Sequence, residues 1–264
     1  MQLDFVQVDA FADGPFTGNP AAVMPLESWL ADDVLQGIAM ENNLSETAFI
    51  VPDASGESDF ELRWFTPESE VRLCGHATLA SGHVILSRQP GQSQVRFSTR
   101  QAGVLTVSRS DKGYDVALPA WGPTPKPLSE ALEGLGIESA VETLWRDGGY
   151  GVVVLASEEE VRGLRPDMRK LAALGDRQTI VTAPGQGTDI VSRVFVPGAG
   201  VDEDPVTGSA HAVIVPYWTA RLGKPQITAF QASKRGGHLF CRVEGDTVVL
   251  TGTCRTVIEG QFSL

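Results

Sequence analysis

Cysteine is scarce: Cys74, Cys241 and Cys254 are the only three in 264 residues. A set that is odd in number and widely spaced supports neither a disulfide framework nor a zinc site, and it fits a reducing compartment. Basic residues are short as well, with 21 Lys and Arg against 33 Asp and Glu, a net charge of −12. No Lys/Arg cluster offsets that balance, which argues against a nucleic-acid surface. No stretch approaches the roughly 20 apolar residues of a membrane span. The first residues, Met1-Gln-Leu-Asp-Phe5, lack the basic start and continuous apolar core of a secretory signal. GxSxG, Walker-A and dinucleotide-binding patterns are missing, and so is any low-complexity segment. The expectation is a cytoplasmic chain with a small-molecule partner and neither nucleic acid nor membrane.

What is present is ordinary globular material, 42% hydrophobic and 20% charged. Within it one pattern occurs twice. Arg63-Trp-Phe-Thr-Pro67 leads through Glu68, Glu70 and Cys74 to Gly75-His-Ala-Thr78. Arg193-Val-Phe-Val-Pro197 leads through Asp202, Glu203 and Asp204 to Gly208-Ser-Ala-His211. Each copy reads Arg-x-Phe-x-Pro, then acidic residues, then a glycine that opens an apolar helix. The arginines lie 130 positions apart, about half the chain, which fits two domains of one fold better than a solenoid. Helix starts carry backbone N–H groups that bind anions. Two of them facing each other would form an interdomain pocket, the expected active site.

Between these landmarks, residues 3–11, 21–26, 46–51, 60–65, 95–97, 103–108 and 114–118 read as strands. Apolar positions at 30, 34, 35 and 38 predict a helix with Ser28 as its cap. The helix from Gly75 to about Ser87 is apolar or small on nearly every side and should be buried all round. Residues 119–127 hold four prolines and read as a linker. The pattern then restarts: 158–174 matches the first helix, 178–182 and 191–196 are strands, and Gly208 opens a helix ended by Gly223. Pro216 inside that helix predicts a kink. Three strand-like runs fill the tail.

Glu46 shares parity with Ala48 and Ile50 and so leans to the buried side of its strand, where desolvation would suit it to acid/base work. The alternative is a glutamate paired with an arginine. His76 stands at a helix start, able to contact an anion or relay a proton, though the helix N-terminus disfavours its cation. Asp204 is one of three carboxylates before the second helix, and charge complementarity accounts for two of them. Gly208 and Ser209 are plausible carboxylate holders, while His211 reads as a core histidine. Gly14, Gly18 and Asn19 read as turn formers. Cys74 precedes a helix, where a thiolate would be stabilised. Its place in the second copy is taken by Asp204-Pro205. No histidine stands at metal-ligand spacing, so no metal is expected.

Several of these pieces together resemble the PhzF-like family, named for the isomerase of phenazine biosynthesis. They are Val8-Asp-Ala-Phe11 with Phe16-Thr-Gly-Asn-Pro20, Asn43-Leu-Ser-Glu-Thr47, Phe65-Thr-Pro67, Cys74-Gly-His-Ala-Thr78, Glu203 to His211, and Gln231-Ala-Ser-Lys-Arg-Gly-Gly237. The resemblance implies an α+β, diaminopimelate epimerase-like fold of two pseudo-symmetric domains, each a barrel-like sheet around a central helix. Their expected bounds are 1–118 and 128–254 with 119–127 between, and about 255–264 free to return to the first domain. It also implies a cofactor-independent isomerase, usually a homodimer, that shifts a proton on a small anionic amino or hydroxy acid. The phenazine isomerase does so on trans-2,3-dihydro-3-hydroxyanthranilate. The catalytic roles fall on Glu46, His76 and Asp204, with Gly75, Gly208 and Ser209 toward the substrate carboxylate. Related amino-acid epimerases use two opposed cysteines, and this chain keeps only Cys74. Epimerase or racemase activity, and a non-catalytic metabolite-binding protein, are the alternatives.

Overall fold

A computed structural model describes residues 1–264. The chain forms two compact units, Met1–Leu118 with Thr251–Leu264, and Pro119–Leu250. The first begins β1 (Gln2–Ala10), β2 (Asn19–Pro25), α1 (Asp32–Asn42), β3 (Glu46–Pro52), β4 (Phe60–Phe65) and β5 (Glu70–Val71). It continues α2 (Gly75–Arg88), β6 (Gln94–Thr99), β7 (Val104–Ser110) and β8 (Gly113–Pro119). The second holds β9 (Thr124–Pro125), α3 (Ser129–Leu135), β10 (Glu142–Arg146), β11 (Tyr150–Val154), α4 (Glu158–Gly163) and α5 (Met168–Ala172). After these come β12 (Gln178–Pro184), β13 (Ile190–Val196), β14 (Val201–Asp204), α6 (Gly208–Leu222), β15 (Gln226–Gln231), β16 (Gly237–Glu244) and β17 (Thr247–Gly252). The last strand, β18 (Cys254–Ser263), lies antiparallel to β1 in the first unit.

Strand pairing repeats. In the first unit β1–β2 is antiparallel, β2–β3 parallel, β3–β4 antiparallel, β4–β6 parallel and β6–β7 antiparallel. In the second, β10–β11, β11–β12, β12–β13, β13–β15 and β15–β16 follow the same alternation. Thr47 lies opposite Phe65, and Thr179 opposite Phe195, so Gln178 holds in the second unit the place of Glu46 in the first.

The repeated Arg-x-Phe has a structural cause. Residues i and i+2 share a strand face, and each guanidinium sits over its phenylalanine ring, 4.9 Å from the centroid in both Arg63–Phe65 and Arg193–Phe195. Each arginine also forks onto the glutamate of the following strand. Arg63 Nε and Nη2 lie 2.8 Å from the two oxygens of Glu70, and Arg193 Nε and Nη2 lie 2.7 and 2.9 Å from those of Glu203. Such bidentate pairs fix geometry as well as charge. They hold the turn that delivers the chain to each helix.

Apolar burial sets the faces. Leu35, Ile38 and Ala39 of α1 pack with Met24, Phe49, Val51 and Phe65. The even positions of β3 therefore face away from α1, and α2 packs on β1, β2, β3, β6 and β7. That helix is buried on nearly every side, as its small and apolar composition predicts. It approaches β7 closely enough that a Cβ on Gly82 would stand 2.3 Å from Val107 Cγ1. In the second unit α3, α4 and α5 cover β11, β12 and β13 through Leu128, Leu135, Val153, Val161, Leu171, Val181 and Phe195.

Several local expectations are corrected. The first helix starts at Asp32 with Ala31 as its N-cap, three residues later than a cap at Ser28 would place it. Asp32 is held instead by Arg63 at 2.9 Å, which anchors the first turn. The expected helix over 158–174 is two short helices, because Pro166 cannot continue the first and Asp167 caps the second. The tail holds four strands rather than three. Residues 119–127 are tied down along the second unit: Ala120 N donates to Asp246 O, Trp121 N to Ala212 O and Lys126 N to Thr143 O. The Trp121 bond also explains how α6 runs unbroken through Pro216. Proline removes the N–H that would serve Ala212 O, and the Trp121 amide occupies that carbonyl at 3.0 Å.

Candidate active site

The expected residues fall into two groups, one at the start of each buried helix. In the first unit Glu46 opens β3 on the face turned toward α2, and His76 is the second residue of α2. Glu46 Oε2 and His76 Nε2 are 3.1 Å apart, with side chains 18% and 4% exposed. The contact is close but misaligned, so neither atom has a hydrogen-bond partner of good geometry. The partner of Glu46 is thus an imidazole and not an arginine. A buried polar pair left unsatisfied is costly and points to work on a ligand.

Three side chains complete the group. Asn19, wholly buried, places Nδ2 3.2 Å from His76 Nδ1, and Ser45 Oγ donates to Asn19 Oδ1 at 3.0 Å. Cys74 Sγ lies 3.5 Å from the same Nδ1. Gly18, at φ +76 with its Cβ position 2.4 Å from Ala10 O, is the turn that feeds Asn19 in. Asn19 and Ser45 were not foreseen as site residues; the density of turn-forming residues around Asn19 masks its role.

Electrostatics corrects two expectations. Burial, joined by the Glu46 charge, pushes the Cys74 thiol up to about 11, so the helix start does not yield a thiolate there. Burial works against a charged His76, yet the Cys74 sulfur and the Glu46 carboxylate outweigh it and hold the imidazole pKa well above the usual histidine value. With the thiol neutral below about 11, Glu46 is the charge that favours the cation near neutrality. Local charge therefore overrides the helix terminus. Donor atoms of Glu46, Cys74 and His76 all lie within 4.8 Å of one another. Sulfur and carboxylate approach different ring nitrogens, Nδ1 and Nε2.

In the second unit Asp204 ends β14, and Gly208 and Ser209 open α6. Thr207 Oγ1 donates to Asp204 Oδ2. Gln231, fully buried, clamps the intervening loop: its Nε2 donates to Asp204 O at 2.7 Å, and its Oε1 accepts from Thr207 N at 2.8 Å. Ser233 Oγ adds a bond to Pro205 O at 2.8 Å. The Gln231-Ala-Ser233 segment is thus a brace for the acidic loop. Of the three carboxylates, Glu203 is taken by Arg193 and Asp202 is exposed, which leaves Asp204 at the helix start. Ser209 Oγ lies 3.3 and 3.4 Å from the Gln178 amide atoms. His211 donates from Nδ1 to Thr207 O at 2.8 Å and is lowered to about 4 by burial, a neutral core histidine.

The N-caps correct the alignment of the copies. Cys74 caps α2 and Thr207 caps α6, so Thr207, rather than Asp204-Pro205, stands where Cys74 does. Ser209 then matches His76. Neither cap places its own side-chain oxygen or sulfur on its helix.

Known proteins resemble the chain along its whole length. It is 49% identical over 267 residues to an uncharacterized isomerase of Pseudomonas aeruginosa, covering 100% of both chains. A crystal structure of a phenazine biosynthesis protein of the PhzF family from Enterococcus faecalis superposes with a TM-score of 0.91 at 42% identity, covering 100% of both. A hydroxyproline epimerase from Agrobacterium vitis shares the fold alone, with a TM-score of 0.65 at 12% identity, covering 98% of this chain and 92% of that one. The sequence profile of the phenazine biosynthesis-like protein family, PhzC-PhzF, matches residues 8–260. With its profile match over residues 8–260 and 49% identity to a relative from end to end, this chain belongs to the PhzC-PhzF family.

Proposed function

We propose that the chain is an isomerase that moves a proton between two carbons of a small carboxylate-bearing amino or hydroxy acid, with Glu46 as the proton carrier. One observation carries this reading: the Glu46 carboxylate and the His76 ring touch without satisfying each other. A ligand placed beside them supplies the missing partner. The name "isomerase" on relatives from Pseudomonas aeruginosa and Halalkalibacterium halodurans supports the reaction class.

In the first step a Glu46 oxygen takes the proton from an activated C–H bond. The bonding pair passes into the ligand's enamine or enol system. His76, whose charged form Glu46 favours, stabilises the negative charge that develops there. The carboxyl group of Glu46 then returns the proton to another carbon, so the enzyme ends as it began and no cofactor enters. First-turn amides suit a ligand carboxylate: Gly75 offers one beside the pair in the first unit, and Gly208 and Ser209 offer a like start in the second, with Asp204 suited to an amino or hydroxyl group.

Heavy water tests the proposal. The protein is incubated in it with pools of small amino and hydroxy acids, and deuterium uptake is followed by NMR and mass spectrometry. Uptake at a new carbon with a shifted double bond, abolished in Glu46→Gln, is the expected result. Uptake at one carbon with inversion would make the protein an epimerase. Uptake that persists unchanged in Glu46→Gln, or none from any acid, overturns the proposal.

A further inference from the structure

We propose that Asn19 and Ser45 are positioning residues that make His76 titrate at Nδ1, so that the neutral ring keeps its hydrogen on Nε2, beside Glu46. The inference rests on the reading of Glu46 and His76 as the working pair, and it concerns groups to which that reading gives no role.

The chemistry of each neighbour sets the tautomer. On one side of the ring, Glu46 Oε2 is 3.1 Å from Nε2, and an ionised carboxylate only accepts. On the other, two groups converge on Nδ1. The Ser45 hydroxyl donates to the Asn19 oxygen at 3.0 Å, and the Asn19 NH2, a donor only, stands 3.2 Å from Nδ1. Cys74, its thiol pushed up to about 11, is an S–H donor across the neutral range, 3.5 Å from the same atom. Two donors at Nδ1 and an acceptor at Nε2 match one neutral tautomer and oppose the other.

Backbone geometry keeps this arrangement in place. Ala10 pairs with Asn19 across β1 and β2, and the turn before Asn19 admits only a glycine at position 18. Ser45 directly precedes Glu46, so one short segment carries both the proton carrier and the brace of its partner's ring. The opposite tautomer would set the Nε2 lone pair against the carboxylate and repel it. When the ring takes a second proton, that proton lands on Nδ1. The Asn19 donor and the Cys74 thiol then face a donor at Nδ1, so the Ser45–Asn19 pair opposes that second proton while Glu46 favours it.

The test needs no ligand. Nitrogen-15 NMR of histidine-labelled full-length protein, across a pH titration, distinguishes the two neutral tautomers and the cation, and His76→Gln assigns the signal. Wild type is expected to pass from the cation to the Nε2–H form. Asn19→Asp, isosteric but unable to donate, should keep Nδ1 protonated at a pH where the wild-type ring is neutral. Ser45→Ala, a milder change that leaves Asn19 in place, should give a mixture of tautomers. An Nδ1–H form in neutral wild type overturns the inference even if no variant folds. So does a folded Asn19→Asp whose His76 titrates as wild type does. Because this spectrum is independent of turnover, it can stand or fall separately from deuterium uptake by Glu46→Gln.

Discussion

Glu46 Oε2 and His76 Nε2 stand 3.1 Å apart at the start of α2, near enough for an ion pair and too poorly aligned for a good hydrogen bond. A structural pair in so buried a place would be expected to align, since an unsatisfied buried polar atom costs roughly 1–3 kcal/mol. The misalignment leaves both atoms able to turn toward a third group.

Replacing Glu46 by glutamine keeps the shape of the side chain and removes its ability to accept a proton. Turnover should fall by roughly 10²–10⁴, the usual range for a lost general acid/base. Ligand affinity should stay within about tenfold, or about 1.4 kcal/mol. Ser209→Ala should show the reverse, weaker binding with turnover largely kept, because its contact exists before the reaction begins. Calorimetry and heavy-water exchange on one ligand, for both variants, check the pair.

Cys74 is buried and its thiol is held up at about 11, so it should neither react nor exchange protons near neutrality. Cys74→Ser should retain most activity, with a stability change on the order of 1 kcal/mol. Iodoacetamide should leave Cys74 unlabelled in the native chain at about pH 8, where an ordinary thiol of pKa ~8.5 reacts. Rapid labelling, or a loss of turnover by orders of magnitude, would place the thiol in the chemistry.

Gly82 lets α2 rest directly on β7. Gly82→Ala should destabilise the protein by about 1–3 kcal/mol, the usual range for overpacking. Val107→Ala alone leaves a cavity, but in the double variant the new methyl group occupies that space. The two losses should therefore add to less than their sum when unfolding is followed in urea.

His211 ties stability to pH. Its folded pKa is about 4, while an unfolded histidine titrates near ~6.5. Between those values the unfolded chain holds the extra proton, so stability falls as pH falls through this window. The gap amounts to about 3 kcal/mol for this one residue. His211→Asn keeps a donor for Thr207 O and cannot titrate. From about pH 7 to about pH 4, wild type should lose more stability than this variant by about that amount.

Much of this was legible in the sequence because its causes are local. Arg63 and Phe65, or Arg193 and Phe195, stack because alternate residues share a face, so the repeat could be read two residues at a time. Gly75 and Gly208 open the two helices where the repeat places them, and Gly223 ends α6 with a left-handed backbone at φ 66. The parity of Glu46 with Ala48 and Ile50 was enough to turn it inward. What escaped depends on partners far along the chain. Asn19 looks like one more turn residue until His76 is set 3.2 Å away. The Ala212 carbonyl that Pro216 leaves without an N–H looks unsatisfied until Trp121 is seen on it. The raised pKa of His76 draws on Cys74, two residues away, and on Glu46, thirty residues earlier, a partner that its place at a helix start does not reveal.

The pairing of β18 with β1 bears on how the protein is made. Met1 N donates to Leu264 O at 2.5 Å, and β1 lies between β18 and β2. The first unit thus takes residues from both ends of the chain, and the second only from 119–250. A ribosome finishes the second unit's sequence first, although it began the first unit earlier. Until residues 254–263 emerge, β1 has an open edge able to recruit a strand from another nascent chain. The half that carries Glu46 and His76 is the last to close, so termination between positions 118 and 254 leaves that half unsealed.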